Sequence, residues 1–162
     1  MNRFLLIFSI LLLAAAAVPG QKNFLLKDAS KKFDVRIAVE RSCEEGICEG
    51  RGTVYLLKKN QRRAFQAIPM RNIYLELGAD QKPTANLIEL YGENNSGVIF
   101  DDFNFDGAED LALRNGNDGA YGGPSYDIFL FRKAAGKFVK NRDLTRLASE
   151  NLGMFETNKK LR

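Results

Sequence analysis

The residues best suited to chemistry lie in Asp102-Phe103-Asn104-Phe105-Asp106-Gly107-Ala108-Glu109-Asp110, a D-x-N-x-D-G-x-x-D pattern. A hard cation such as Ca²⁺ takes about six to eight oxygens from carboxylates, amides, backbone carbonyls and water. Alternate residues of a tightly coiled loop point inward, so Asp102, Asn104 and Asp106 converge. Gly107 permits the sharp turn, the Ala108 carbonyl can then face the ion, and Asp110 closes the shell. Carboxylates held this close repel one another without a cation. The stretch is read as a Ca²⁺ loop, against the plainer reading of an acidic Asn/Asp/Gly hairpin turn with no metal.

The elements around the loop must be strands. Gly97-Val98-Ile99-Phe100 precedes it and Leu111-Ala112-Leu113 follows it, both short apolar runs of strand type. An EF-hand would need two helices and a bidentate Glu at its twelfth position, where Leu113 stands. An acidic loop between two strands resembles the calcium loops of FG-GAP repeats in integrin-type propellers. The pattern occurs once and no internal repeat accompanies it, so the chain is not a whole propeller of that kind.

Residues 1–20 have the form of an export signal: Asn2-Arg3, an apolar run from Phe4 to Val18, and a cut after Gly20 or within Ala14–Ala17. The run is short for a membrane span, which needs about twenty residues; a retained N-terminal anchor is the alternative. Residues 21–162 then form one domain, exported to the periplasm or outside the cell. The chain carries 24 Lys and Arg against 20 Asp and Glu, a net charge of +4. So small an excess, without a dense basic stripe, excludes a nucleic-acid surface. An anionic envelope polymer or an acidic protein stays open as a partner for the basic clusters.

Cys43 and Cys48 are the two cysteines, and in an oxidising compartment C-x₄-C reads as a local disulfide. A redox pair would need the C-x-x-C spacing. Phe33, Val35, Ile37 and Val39 alternate with polar residues before the pair, and Gly52 to Leu57 follow it as a second strand. Further strands are expected over Arg63–Ile68, stopped by Pro69, over Ile73–Leu77, and over Leu87–Tyr91. Asn94-Asn95-Ser96 matches a glycosylation pattern that has meaning only in a eukaryotic secretory route. The fold class is mainly β: a single antiparallel domain, propeller-like or sandwich-like, with one short C-terminal helix.

A Gly-rich segment, Arg114 to Tyr126, contains Tyr121-Gly122-Gly123-Pro124-Ser125-Tyr126 and is long for an irregular loop. Tyrosine offers broad contact area at low entropy cost, so Tyr121 and Tyr126 are candidate partner contacts; the alternative folds both rings back onto the sheet. Asp118 is a further candidate for the ion. Ile128–Phe131 is a buried-type strand, Ala134-Ala135-Gly136 a turn into Phe138-Val139, and Asp143 the expected N-cap of a helix with Leu144, Leu147 and Ala148 on one face and Gly153 as its stop. Met154–Glu156 begins a strand with no hairpin partner, which leaves a truncated C-terminus and an edge strand as the two readings.

Enzyme chemistry has little to work with. The chain has no histidine, which removes Ser-His and Cys-His nucleophile pairs and His-containing zinc sites. Glu44, Glu45 and Glu93 could supply a glycosidase pair, but they sit in turn segments. No Gly-rich phosphate loop follows a strand and opens a helix.

Taken together, Asp102–Asp110, Asn115–Tyr126 with Y-G-G-P-S-Y, Ile128–Phe131 and Gly136-Lys137-Phe138 are similar in order and spacing to a group of exported bacterial proteins. That group includes periplasmic immunity proteins against lysozyme-like effectors of type IV secretion systems, and it resembles the periplasmic inhibitors of invertebrate-type lysozyme. The similarity covers roughly Asp101 to Phe155, with a looser match at Cys43–Leu57. It implies a β-rich, propeller-like domain without enzymatic activity. Asp102, Asn104, Asp106, the Ala108 carbonyl and Asp110 would hold Ca²⁺, and Tyr121, Gly122, Gly123, Ser125 and Tyr126 would enter the cleft of a lysozyme-like hydrolase, with Tyr121 or Tyr126 as the plug. The closeness of the two segments in sequence suggests that the ion fixes the take-off of the Gly-rich loop and so assists recognition. The alternative function is a calcium-dependent adhesion or glycan-binding module of FG-GAP type.

Overall fold

Short β-forming runs separated by turn residues build two sheets. The computed structural model describes residues 20–27, 29–41, 43–88 and 95–150. The apolar leader over 1–19, most of the Leu87–Tyr91 run, Glu93, Asn94 of the glycosylation pattern, Gly153 and the Met154–Glu156 segment lie outside them.

The first sheet has the order β1 (Lys22–Leu26), β2 (Phe33–Val39), β3 (Ile47–Lys58), β4 (Ala64–Glu76). The second has β5 (Val98–Asp101), β6 (Asp110–Gly116), β7 (Ser125–Arg132), β8 (Lys137–Lys140). Every neighbouring pair is antiparallel, so each sheet is an up-and-down meander. The mainly β, antiparallel architecture expected from the turn spacing is what the chain forms.

Three details depart from expectation. Pro69 does not stop a strand: β4 runs through it, with Pro69 opposite Thr53. Since β4 is the last strand of its sheet, the proline's missing N–H can face outward, where no ladder bond is needed. Lys22–Leu26 is a strand that its mixed composition did not signal. Leu87 and Ile88, expected in a strand, are irregular; Ser96 instead donates its backbone N–H to Leu87 O at 2.9 Å.

The core is in two layers. Val35, Ile37, Val54, Leu56 and Ile73 of the first sheet bury against Val98, Phe100, Leu111, Leu113 and Phe129 of the second. The other face of the second sheet, with Ile99, Ala112, Tyr126, Ile128 and Leu130, is covered by Ala148 and Leu144 of helix α1 (Arg142–Glu150) and by Ile88. Being covered on both faces explains why β6 reads as a nearly continuous apolar run. Burying a large apolar side chain contributes roughly 1.5–3 kcal/mol. Phe33 is central, its ring centroid 5.3–6.2 Å from those of Phe65, Phe100, Phe131 and Phe138. Gln66 on β4 joins the sheets as a strand would: its amide donates to Phe138 O and accepts from Phe138 N, both at 2.8 Å.

The expected helix forms, but its cap is Asn141, whose Oδ1 accepts the Leu144 N–H at 2.9 Å. Asp143 lies inside the first turn, and Leu147 faces solvent rather than the sheet. Cys43 and Cys48 are bonded, with Cα atoms 4.2 Å apart. The bridge pins the β2–β3 connection at the start of β3, where Glu44 and Ile47 form an isolated β-bridge.

Candidate functional site

The acidic loop closes the β5–β6 hairpin beyond its last pair, Asp101 opposite Asp110. Its side-chain oxygens turn back onto the loop's own backbone. Asp102 Oδ1 and Asn104 Oδ1 both accept the Asp106 N–H, at 2.9 and 3.1 Å, and Asp102 Oδ2 accepts the Gly107 N–H at 2.9 Å. Asp106 Oδ1 accepts from Ala108 N at 2.8 Å. Gly107 has φ +82°, where a Cβ would be strained. Phe103 is buried in the outer core layer and anchors the loop. The hydrogen bonds from Asn104 and Ala108 hold the Asp106 carboxyl below the usual range, with the Lys133 charge adding to them. That lysine reaches in from the β7–β8 turn, with Nζ 2.8 Å from Asp106 O and 3.4 Å from Oδ1.

Asp110 differs from the other acids. It is fully buried; Oδ1 accepts Phe131 N at 2.7 Å and Oδ2 accepts Phe103 N at 3.1 Å. Burial pushes its carboxyl up, and the Asp106 charge adds to the rise. Asp110 thus ties the loop to β7 as well as ending it. No group of three or more His, Cys, Asp or Glu side chains among the described residues is gathered tightly enough to hold a metal. The donor set brought together is Asp102, Asn104 and Asp106, hard oxygens of the type Ca²⁺ prefers. Asp110 could join through lone-pair directions its two amide partners leave over.

The Gly-rich loop lies at the opposite end of the same strand. β6 carries the chain from Asp110 to Gly116, a distance of about 20 Å at the usual rise per residue. Asp118 is therefore at the far end from the acidic loop, too distant to join its oxygens around one ion. The expected coupling through the loop's take-off fails for the same reason: neighbours in sequence are separated by the length of a strand.

Within this second loop Tyr121 is 98% exposed and sits at φ +57° in a single 3₁₀ turn, Ala120–Gly122. Gly119 closes the neck beneath it, donating to Gly123 O at 3.0 Å and accepting from Gly122 N at 3.1 Å. A Cβ on Gly119 would come within 2.7 Å of Pro124 O, so only glycine fits this crossing. Gly122 is exposed and Gly123 half-buried beside the tyrosine. Ser125 and Tyr126, expected as contacts, are instead buried in the chain's own fold. Strand β7 begins at Ser125, so Tyr126 alternates with Ile128 and Leu130 into the outer core layer. Its ring is fully buried, its hydroxyl donates to Ser96 O at 3.1 Å, and burial raises its pKa to about 12. Ser125 Oγ is spent on Asn115 Oδ1 at 2.6 Å.

Sequence reasoning passed over Arg114, which braces the loop. Nearly buried, its guanidinium donates to Glu76 Oε1 at 2.7 Å, Asn95 O at 3.2 Å and Asn117 Oδ1 at 2.5 Å, and stacks 4.2 Å over the Tyr74 ring. Asn117 opens the Tyr121 loop, so this network fixes one of its feet. A lone arginine closing an apolar strand, Leu111-Ala112-Leu113-Arg114, was the available signal, since a buried cation needs a partner. Glu44 and Glu45 are exposed on the disulfide-pinned turn.

The fold has a solved counterpart. A structure described as a Xanthomonas type IV secretion system related protein superposes with a TM-score of 0.62 at 24% identity, over 85% of this chain and 69% of that one. At that identity the likeness is one of fold. No protein-family model matches the chain, and no curated protein does.

Proposed function

We propose that this chain is an exported, calcium-binding, non-enzymatic inhibitor or immunity protein that acts on a lysozyme-like cell-wall hydrolase. The observation carrying this reading is Tyr121, a fully exposed aromatic ring on a left-handed residue, held up by a glycine neck and a buried arginine. A ring in that position contributes nothing to its own core, and the braced backbone beneath it lowers the entropic cost of presenting it to a partner's pocket. Tyr121 is the plug, with Gly122 and Gly123 allowing close approach of the backbone. Asp102, Asn104, Asp106 and Asp110 with the Ala108 carbonyl would hold Ca²⁺, which there would neutralise the loop's charge. Its role is stabilisation of the β5–β6 hairpin, at the end remote from Tyr121.

Export is supported by the disulfide, and the type IV secretion relation of the structural neighbour accords with a partner that is a secreted effector. No helix among the described residues is long and apolar enough to cross a membrane. The test is a peptidoglycan lysis assay with lysozymes of several types, titrated with the wild-type protein and with Tyr121→Ala. Inhibition lost in the variant supports the reading. Folded protein that inhibits none of the hydrolases but is retained on a polysaccharide column favours the FG-GAP-type binding module instead.

A further inference from the structure

Among the described residues no element is layered over the outer face of the first sheet, and that face is basic where it meets the β3–β4 turn. A groove of about 650 Å³ runs there between the strands and the turn, lined by Leu25, Lys27, Arg36, Leu57, Lys59 and Arg62. Asp34, the single acid lining it, is taken by Lys59 at 2.7 Å. Lys59 Nζ also donates to Lys27 O, which ties the β3–β4 turn to the β1–β2 connection. Strand register sets Leu25, Arg36 and Tyr55 side by side across three strands.

Arg36 is the centre of the groove. Its guanidinium carbon lies 4.5 Å over the Tyr55 ring, a stack that braces the exposed side chain by one face and leaves its N–H edge to other partners. No side-chain hydrogen bond or ion pair occupies that edge among the described residues. A planar fork held in this way suits an oxyanion with two acceptors, above all a phosphate. Leu25, 53% exposed beside it, is the apolar side chain of the groove that is open to solvent, whereas Leu57 is buried.

We propose that this groove docks the protein on an anionic phospholipid surface, with lipid phosphates at Arg36 and Arg62 and Leu25 entering the interfacial region. A mixed array of lysines, arginines and one exposed leucine on an open sheet face matches a plane of phosphates over an acyl boundary. A soluble polyanion would leave the leucine unused. The inference is independent of the inhibitor reading, since Tyr121 lies at the other end of the molecule.

The test is co-sedimentation of the whole protein with phosphatidylcholine vesicles, with and without phosphatidylglycerol, at low and at physiological salt. The expected result is binding only with phosphatidylglycerol, weakening as salt rises. Arg36→Glu with Arg62→Glu, both at exposed positions, should weaken it on the order of a hundredfold while circular dichroism is unchanged. Leu25→Ser should weaken binding and leave its salt dependence intact. No sedimentation at low salt overturns the proposal, as does binding by the double variant equal to wild type. Release by soluble glycerol phosphate at matched phosphate concentration assigns the groove to a free phosphate ligand and also overturns it.

Discussion

Tyr121→Gly separates the contact role of the loop from any structural one, because the two roles predict opposite outcomes. The residue sits at φ +57°, a region that costs a non-glycine residue about 1–2 kcal/mol. Glycine removes that cost but loses more backbone entropy on folding, about 0.5–1 kcal/mol. The ring is 98% exposed, so its removal gives up no packing. Stability should therefore stay within about 1 kcal/mol of wild type and tend upward. If Tyr121 is the plug, truncation should cost about 2–4 kcal/mol of binding, the range of aromatic hot spots, or roughly thirty- to a thousandfold in affinity. Urea unfolding and inhibition of peptidoglycan lysis measure the two quantities on one sample. A folded, equally stable variant that inhibits as wild type does would refute the assignment. Tyr126→Ala is the contrast: the same residue type, buried, should lose about 3–5 kcal/mol of stability.

Other residues give equally definite outcomes. Asp106→Ala should reduce calcium uptake measured by calorimetry yet leave inhibition by pre-folded protein unchanged, because the acidic loop and Tyr121 are at opposite ends of β6. Glu76→Ala strands the nearly buried Arg114 charge and should cost about 3 kcal/mol; adding Arg114→Met should restore part of that loss, and strict additivity in urea titrations would contradict the buried-pair account. For Tyr126, burial pushes the folded-state pKa up to about 12, above the ordinary phenol value of about 10, so the unfolded state releases its proton first. Stability should fall as pH rises from about 10 to about 12, by up to roughly 2–3 kcal/mol, and Tyr126→Phe should lack that decline. Replacing Cys43 and Cys48 by Ser should cost about 2 kcal/mol, the chain-entropy value for so short a loop, read as a lower urea midpoint.

How much of this was legible follows from the range of the interaction involved. The β2, β3, β5 and β6 runs were readable because alternation or an apolar run bounded by turn residues is a local property. The acidic loop was readable for the same reason: its Asx turns close within nine residues of chain. Pro69 misled because its effect depends on whether the strand is an edge, and edge position is decided by the whole sheet order. Tyr126 misled because a strand that starts at Ser125 rather than Ile128 changes which side chains belong to the core, and Ser125 offers no strand signal of its own. Its partner, Ser96 O, lies thirty residues away in sequence. The coupling of the two loops failed on a different ground. Asp110 and Asn117 are close in sequence, but the residues between them, buried at every position except Asn115, form strand β6. A run that good at being a strand separates its two ends. The apolar character of Leu111-Ala112-Leu113, which identified β6, was itself the reason to expect the acidic loop and the tyrosine loop at opposite poles of the domain.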